Sequence, residues 1–336
     1  MSESRRYVVI GAGAIGALLA AQLELAGIDT VLVARGRNLA AIRANGLLVR
    51  RPHGSETVRM PLVGGPDDVR LTSRDVLVLA TKSQDAEEVL ARWAWLPVFE
   101  RDGEATLLGA DLPILTFQNG LVTEDLALRR FRRVYGVSIG VAASYLVPGE
   151  VVSPSYPVIG IAWLGRYPDQ FDAAADDYVD DLTKAGYRVD SVPDISTWKA
   201  RKLLGNVGNG LDLLAGRPEL KERARELLVA EATAVFAAAG IRTPDSAPPL
   251  RGVLTVDPVP GHVGGRLSTW QSFARGASSE IDYLNGEIVR LGRSHGVATP
   301  VNERLQRLLG ALAVAGRGPG GDGLEDLQLL VTESGA

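Results

Sequence analysis

A doubly wound α/β domain followed by an all-α domain is the fold class that this 336-residue chain predicts. Three observations carry the reading. Short β-rich apolar runs alternate with helix-like segments up to about residue 193. A glycine-rich turn sits between the first run and the first helix. From Asp194 onward the strand pattern gives way to helical periodicity.

The elements follow in order. Tyr7 to Ile10 (YVVI) reads as a strand buried on both faces. After the turn, Ala14 to Ala26 is rich in alanine and leucine and is closed by Gly27, the signature of a helix. Thr30 to Ala34 is a second strand, which completes a βαβ unit. Asn38 to Asn45 predicts a helix ending at Gly46, and residues 47–63 a hairpin around His53 and Gly54. Strands are expected at Asp75–Ala80, Leu112–Phe117 and Val134–Gly140, with helices at Ser83–Leu96 and Thr123–Phe131. Residues 141–165 are β-rich with a Pro148-Gly149 turn and predict antiparallel additions to the sheet. A helix over 168–186 and a last strand over 187–192 complete the domain. Helices are then expected over 194–214, 217–239, 262–273, 278–295 and 300–314, with a Pro-rich loop over 244–260. The expected organisation is a dinucleotide-binding domain over 1–193, a helical domain over 194–315 and a loose glycine-rich tail over 316–336. Residues 98–111 resemble an insertion.

Composition narrows the function. The 36 basic and 40 acidic residues give a net charge of −4, so no basic field recruits nucleic acid. There are no cysteines, which removes disulfides, thiolate metal sites and a thiol nucleophile. The three histidines, at 53, 262 and 295, are too scattered for a metal motif. No apolar run is long enough to span a bilayer and no signal peptide is visible, so a cytoplasmic protein is expected.

Gly11-Ala12-Gly13-Ala14-Ile15-Gly16 fits G-x-G-x-x-G between a strand and a helix, the setting that gives the pattern its meaning. It predicts a Rossmann-type turn. Gly11 makes the tight bend, Gly13 admits the pyrophosphate, and Gly16 lets helix and strand pack closely. The backbone of Ala14 and Ile15 at the helix start holds phosphate. The end of the second strand reads Ala34-Arg35-Gly36-Arg37, with a guanidinium where a carboxylate would select NAD. This predicts NADP(H), with Arg35 on the 2′-phosphate and Arg37 beside it.

Lysine occurs only at 82, 184, 199, 202 and 221, while arginine carries most of the positive charge. An ammonium can release a proton and a guanidinium effectively cannot, so these lysines are candidates for chemistry. Lys202 and Asn206 share a helix face by their spacing, and Asn209 extends it. An ammonium beside carboxamides suits a 2-oxo acid and can protonate its oxygen as hydride arrives. Lys199 is a rival on the same helix. Glu280, at the head of E-I-D-Y-L-N-G, can keep a lysine charged and oriented. Ser268 is a candidate hydroxyl donor. Asn119, in Gln118-Asn119-Gly120, and Lys82, in Thr81-Lys82-Ser83, each follow a predicted strand, at the edge where α/β sheets bind ligands.

The ordered set resembles the ketopantoate reductase family. The likeness runs from Gly11 to about residue 310 through GAGAIG, Val33-Ala34-Arg35, Thr81-Lys82, Gln118-Asn119-Gly120, Lys202-x-x-x-Asn206 and Glu280-Ile281-Asp282-Tyr283-Leu284-Asn285-Gly286. It implies NADPH-dependent reduction of ketopantoate to pantoate, at a site between a Rossmann domain and a helical domain. It also implies that Lys202, rather than Lys199, is the catalytic lysine, with Glu280 as its partner. Asn119, Asn206 and Ser268 fall where the family contacts cofactor or substrate, and Lys82 on the cofactor side. Two stretches depart from the family. The second asparagine often found eight residues after the lysine is replaced by Gly210, with Asn209 one place earlier. Where members often read S-M-x-Q-D, this chain has Ser268-Thr269-Trp270-Gln271-Ser272. Both departures lie near the expected substrate pocket. They keep open a relative that reduces another ketone, 2-oxo acid or imine, and a non-catalytic NADP(H)-binding regulator stands as the alternative from another class. By analogy with other helical second domains, a homodimer is expected.

Overall fold

Alternate residues of the first strand enter two different cores. Tyr7 and Val9 pack into one apolar cluster, Val8 and Ile10 into another. That is why YVVI carries no polar position: both faces of its sheet are covered. The computed structural model describes residues 4–100, 103–244, 253–277, 279–319, 327–328 and 330–331.

The chain divides into two compact units. The first takes the residues up to Gln118, Val122–Ser196 and the described part of the stretch ending at Gly264. It begins with β1 (Arg6–Ile10), α1 (Ala14–Leu25), β2 (Asp29–Val33), α2 (Gly36–Asn45), β3 (Leu47–Arg51) and β4 (Gly54–Val58). It continues with β5 (Leu62–Val63), β6 (Leu71–Thr72), β7 (Asp75–Leu79), α3 (Ala86–Ala94), β8 (Pro97–Phe99) and β9 (Ala105–Leu108). Then come β10 (Pro113–Thr116), α4 (Thr123–Leu128), β11 (Arg133–Gly140), β12 (Glu150–Val152), β13 (Ser155–Pro157), β14 (Ile161–Tyr167), α5 (Ala174–Lys184) and β15 (Arg188–Ser191).

An eight-stranded sheet in the order β15-β14-β11-β10-β7-β1-β2-β5 is the frame. Its strands run parallel except where β14 meets β11 antiparallel. Leu18, Leu19 and Leu23 of α1 with Tyr178 and Leu182 of α5 cover one face, and Leu90 and Trp93 of α3 the other. The strand order reverses beside β1, between β2 on one side and β7 on the other, which is the switch point where such sheets hold ligands.

Several local expectations are corrected. Residues 47–63 do not form one hairpin: β3 and β4 pair antiparallel, but β5 joins the edge of the main sheet beside β2. Of the additions expected from 141–165, only β14 extends the main sheet. The Gly149 turn, at φ +82°, returns the chain to α2, and β12 then pairs parallel with β3. β13 pairs with β16 (Leu254–Val256), a strand inside the stretch expected to be loop. Residues 245–252 of that stretch lie outside the described residues. The insertion-like segment forms β8 and β9, in a small sheet with β6.

The second unit holds Asn119–Leu121, the chain from Thr197 and the chain from Gly265. Its helices are α6 (Ile195–Asn206, entered from the first unit), α7 (Pro218–Ala238), α8 (Ser268–Ala274), α9 (Asn285–His295) and α10 (Pro300–Val314). Leu203, Leu228, Ile288, Leu305 and Leu309 form its core. The helix expected over 194–214 stops at Asn206 and yields to a 3-10 turn at Asn209–Leu213. Gly205, Gly208 and Gly210 supply the low helix propensity that ends it. The helix expected from 262 starts only at Ser268, because Gly261 and Gly265 both have positive φ. The helix expected over 278–295 is a 3-10 turn (Ile281–Tyr283) followed by α9, broken at Leu284 (ψ −88°); Ser278 lies outside the described residues. The tail over 316–336 is not wholly loose: Leu327 and Leu330 are buried in this core, Leu327 against Gly216. Among the described residues no helix is long and apolar enough to cross a membrane.

Candidate active site

The three glycines of the first turn do different work. Gly11 bends it at φ +113°, and its N–H donates to the Val33 carbonyl at 3.1 Å. A Cβ on Gly16 would stand 1.9 Å from the Gly11 carbonyl oxygen and 2.9 Å from Ala80 Cβ. Helix α1 thus approaches the turn more closely than any side chain allows. Gly13 has a φ of −79°, which any residue adopts, and nothing lies within 4 Å of the place its Cβ would take. The fold does not require glycine there; the open space beside the backbone is what a phosphate needs. No side chain caps α1, so the N–H groups at its start, at Ala14 and Ile15, suit an anion. The residues present therefore fit a dinucleotide pyrophosphate.

Asn38 braces this turn and was missed from the sequence. Its buried side chain donates to the Ala12 carbonyl at 2.6 Å, and its oxygen accepts from the Gly149 N–H at 2.7 Å. The sequence offered little signal, because an asparagine at the head of a predicted helix is an ordinary capping residue. Arg35 and Arg37 flank Gly36 just after β2, and both side chains are exposed. Lys82, half-buried, follows β7 and opens a 3-10 turn at Ser83–Asp85. The glycine turn, Arg35 and Lys82 thus follow three adjacent strands, β1, β2 and β7, at their carboxyl ends.

The second unit gathers the other candidates. Lys202 and Asn206 lie one turn apart on α6, both half-buried, while Lys199 is only 3% exposed. Asn206 Nδ2 donates to Asn119 Oδ1 at 3.2 Å, so two residues distant in sequence meet. Gly120, at φ +83°, brings this turn against the E-I-D-Y segment: a Cβ there would be 2.6 Å from the Tyr283 carbonyl oxygen. Glu280 precedes that segment's 3-10 turn and is 6% exposed. A carboxylate taken so far from water requires polar partners.

Asn285 is the second residue the sequence reading passed over, although it belongs to the quoted motif. It is fully buried and donates to the Val207 carbonyl and to Asn302 Oδ1, both at 2.9 Å. Asn302 in turn donates to Glu231, whose carboxylate also takes the Val301 and Asn302 N–H groups at 2.8 and 2.9 Å. This chain of bonds ties the carbonyl just beyond α6 to the start of α10. Asn209 does not extend the Lys202 face. It begins the 3-10 turn after α6 has ended and is 8% exposed, because the glycines have already broken the helix.

Comparison with known proteins decides the family. The model of ketopantoate reductase PanE/ApbA matches residues 7–168, and that of its C-terminal part matches 194–313. The chain belongs to the ketopantoate reductase family. It is an oxidoreductase acting on CH–OH groups, and NADPH/NADP is its cofactor. It is 30% identical over 329 residues to the 2-dehydropantoate 2-reductase of Mycobacterium tuberculosis, covering 93% of this chain and 98% of that protein. It is 27% identical over 315 residues to the one from Archaeoglobus fulgidus, covering 91% and 97%. A D-mandelate dehydrogenase solved with NADH and anilino(oxo)acetate shares the fold, with a TM-score of 0.75 at 22% identity, over 93% of this chain and 99% of that one.

Both departures of this ketopantoate reductase relative from the common pattern have structural causes. A Cβ on Gly210 would stand 2.4 Å from Leu309 Cδ1, so the asparagine often found there would require the Leu309 side chain to shift. Ser272, where aspartate is common, is fully buried and donates to the Ser268 carbonyl at 3.1 Å within α8. An ionised carboxylate would have no such use there. Trp270 packs on the helical core with the Arg266 guanidinium 4.8 Å from its ring centroid. Ser268 is half-buried at the first position of α8.

Proposed function

We propose that the protein reduces 2-dehydropantoate to pantoate with NADPH. The meeting of Asn119 and Asn206 on the helix that carries Lys202, with Gly120 seated on the segment that Glu280 opens, carries this reading. The names of its relatives over nearly the whole chain support the substrate. Gly11, Gly13, Ala14, Ile15 and Gly16 hold the pyrophosphate, Arg35 the 2′-phosphate, and Lys82 the cofactor side. The reduced nicotinamide, when bound, supplies a hydride to the ketone carbon.

The protein's own residues do the rest. Lys202 donates a hydrogen bond to the ketone oxygen and polarises the carbonyl. It transfers its proton to that oxygen as the C–H bond forms, then recovers a proton from water. Glu280 keeps the ammonium charged before the transfer. Asn206, Asn119 and Ser268 orient the carboxylate and hydroxyl groups of the substrate. Lys202→Ala should lower kcat by roughly 10²-fold or more, with the Kd for NADPH retained; turnover at the wild-type rate would refute the assignment.

A second substrate reading rests on Gly210 and Trp270. Glycine removes the carboxamide common at 210, and a large aromatic side chain stands beside Ser268 at 270, which favours a more apolar 2-oxo acid. NADPH consumption with ketopantoate, 2-oxoisovalerate, pyruvate and phenylglyoxylate separates the two. The highest kcat/KM with ketopantoate supports the first reading, and the highest with phenylglyoxylate the second.

A further inference from the structure

The far end of α1 from the glycine turn borders a cavity of about 450 Å³ within the first unit. The helix has 12 residues, so the two ends lie about 18 Å apart at 1.5 Å per residue. Leu25 closes α1 here, Val49 and Arg51 enter from β3, and Glu56 from β4. His53, in the turn between those strands, sets its ring edge-on to Tyr156, with centroids 4.5 Å apart.

Arg51 is the unusual member. Its Nη2 donates to the Ser155 carbonyl at 2.7 Å, but its Nε is buried without a hydrogen-bond partner among the described residues. Burial depresses its pKa, and the groups that oppose this are the phenols Tyr187 and Tyr156, not a carboxylate. A guanidinium partly withdrawn from water with no carboxylate beside it among the described residues is costly, and one that lines a cavity is a candidate ligand site. The residue opposite it across the β3–β4 ladder is Gly54, and nothing lies within 4 Å of the place a Gly54 Cβ would take. Among the described residues, the position opposite Arg51 in the ladder is therefore open.

Glu56 limits what can fill that space. It faces Val49 in the ladder, one step from the Arg51–Gly54 pair, so the two charged residues are diagonal neighbours on one face. Their Cβ atoms are then within about 7–8 Å of each other and both side chains line the cavity, so a ligand carrying an ammonium and a carboxylate can meet both charges. A ligand of net negative charge would meet Glu56 unfavourably; one carrying both charges would not.

We propose that this cavity binds a small zwitterion, an α-amino acid with an apolar or aromatic side chain. Its carboxylate accepts from Arg51, its ammonium donates to Glu56, and its side chain lies against Leu25, Val49 and Tyr156. The site is separate from the reductase machinery and does not depend on which 2-oxo acid is reduced.

Calorimetric titration of the full chain tests this with L-phenylalanine, L-leucine, N-acetyl-L-phenylalanine, L-phenylalaninamide and inorganic phosphate. Both amino acids should bind, and loss of either charge from the ligand should weaken binding roughly tenfold or more. Arg51→Met should abolish binding, and Glu56→Gln should weaken it about three- to tenfold, with the NADPH Kd unchanged in both. Glu56 is exposed, so its variant tests the site even if Arg51→Met folds poorly: it should weaken phenylalanine and leave N-acetyl-L-phenylalanine unaffected. No binding of either amino acid up to about 10 mM, wild-type affinity in the Glu56 variant, or phosphate binding as tightly as phenylalanine would each overturn the proposal.

Discussion

Two glycines of one turn should respond to the same added methyl group in opposite ways. In Gly16→Ala the new carbon would stand 1.9 Å from the Gly11 carbonyl oxygen, where ordinary contact begins near 3.4 Å. The helix must retreat by about 1.5 Å, at the usual overpacking cost of about 1–3 kcal/mol. For a unit of this size that lowers Tm by roughly 2–12 °C. In Gly13→Ala the carbon meets nothing within 4 Å, and the backbone is already in a region open to alanine. The gain from a stiffer unfolded chain and the loss of a better N-cap residue offset each other, so stability stays within about 1 kcal/mol of wild type. Yet the carbon occupies the space assigned to the pyrophosphate, and the NADPH Kd should rise at least about tenfold, or 1.4 kcal/mol. Scanning calorimetry and titration of NADPH fluorescence separate the two effects. Wild-type NADPH affinity in Gly13→Ala, or destabilisation equal to that of Gly16→Ala, would show that the open space is not the phosphate site.

Three further variants probe the same logic. Arg35→Ala should raise the KM for NADPH far more than that for NADH, as steady-state kinetics with both cofactors would show; equal effects would remove its phosphate role. Asn285→Ala should cost about 1–3 kcal/mol by leaving the Val207 carbonyl and Asn302 Oδ1 without their donor. It should lower kcat while the NADPH Kd holds. Asn285→Asp should be worse, since a carboxylate would face two acceptors. Gly210→Asn should lower Tm by crowding Leu309, and Leu309→Ala should cost less in that chain than in the wild type; no destabilisation from the single change would refute the steric account.

Much was legible in the sequence because local physics decided it. The alternation of apolar runs and helices, the glycine turn and the arginine after the second strand depend on neighbours a few residues apart, and each stands where it was read. Helix lengths were over-read wherever glycines interrupted an apolar pattern, at 205–210, 261–265 and around Leu284. Periodicity there reports burial, which short turns satisfy as well as a continuous helix does.

What the tertiary structure alone decided concerns residues far apart in the chain. That Asn119 meets Asn206, that Asn38 holds the glycine turn to Gly149, and that Leu309 crowds a side chain at 210 are contacts across about 87 to 111 residues. A sequence states which groups are present and how neighbours along the chain are spaced. Only packing sets which distant groups share a hydrogen bond or compete for the same volume, because those energies fall off within a few ångströms.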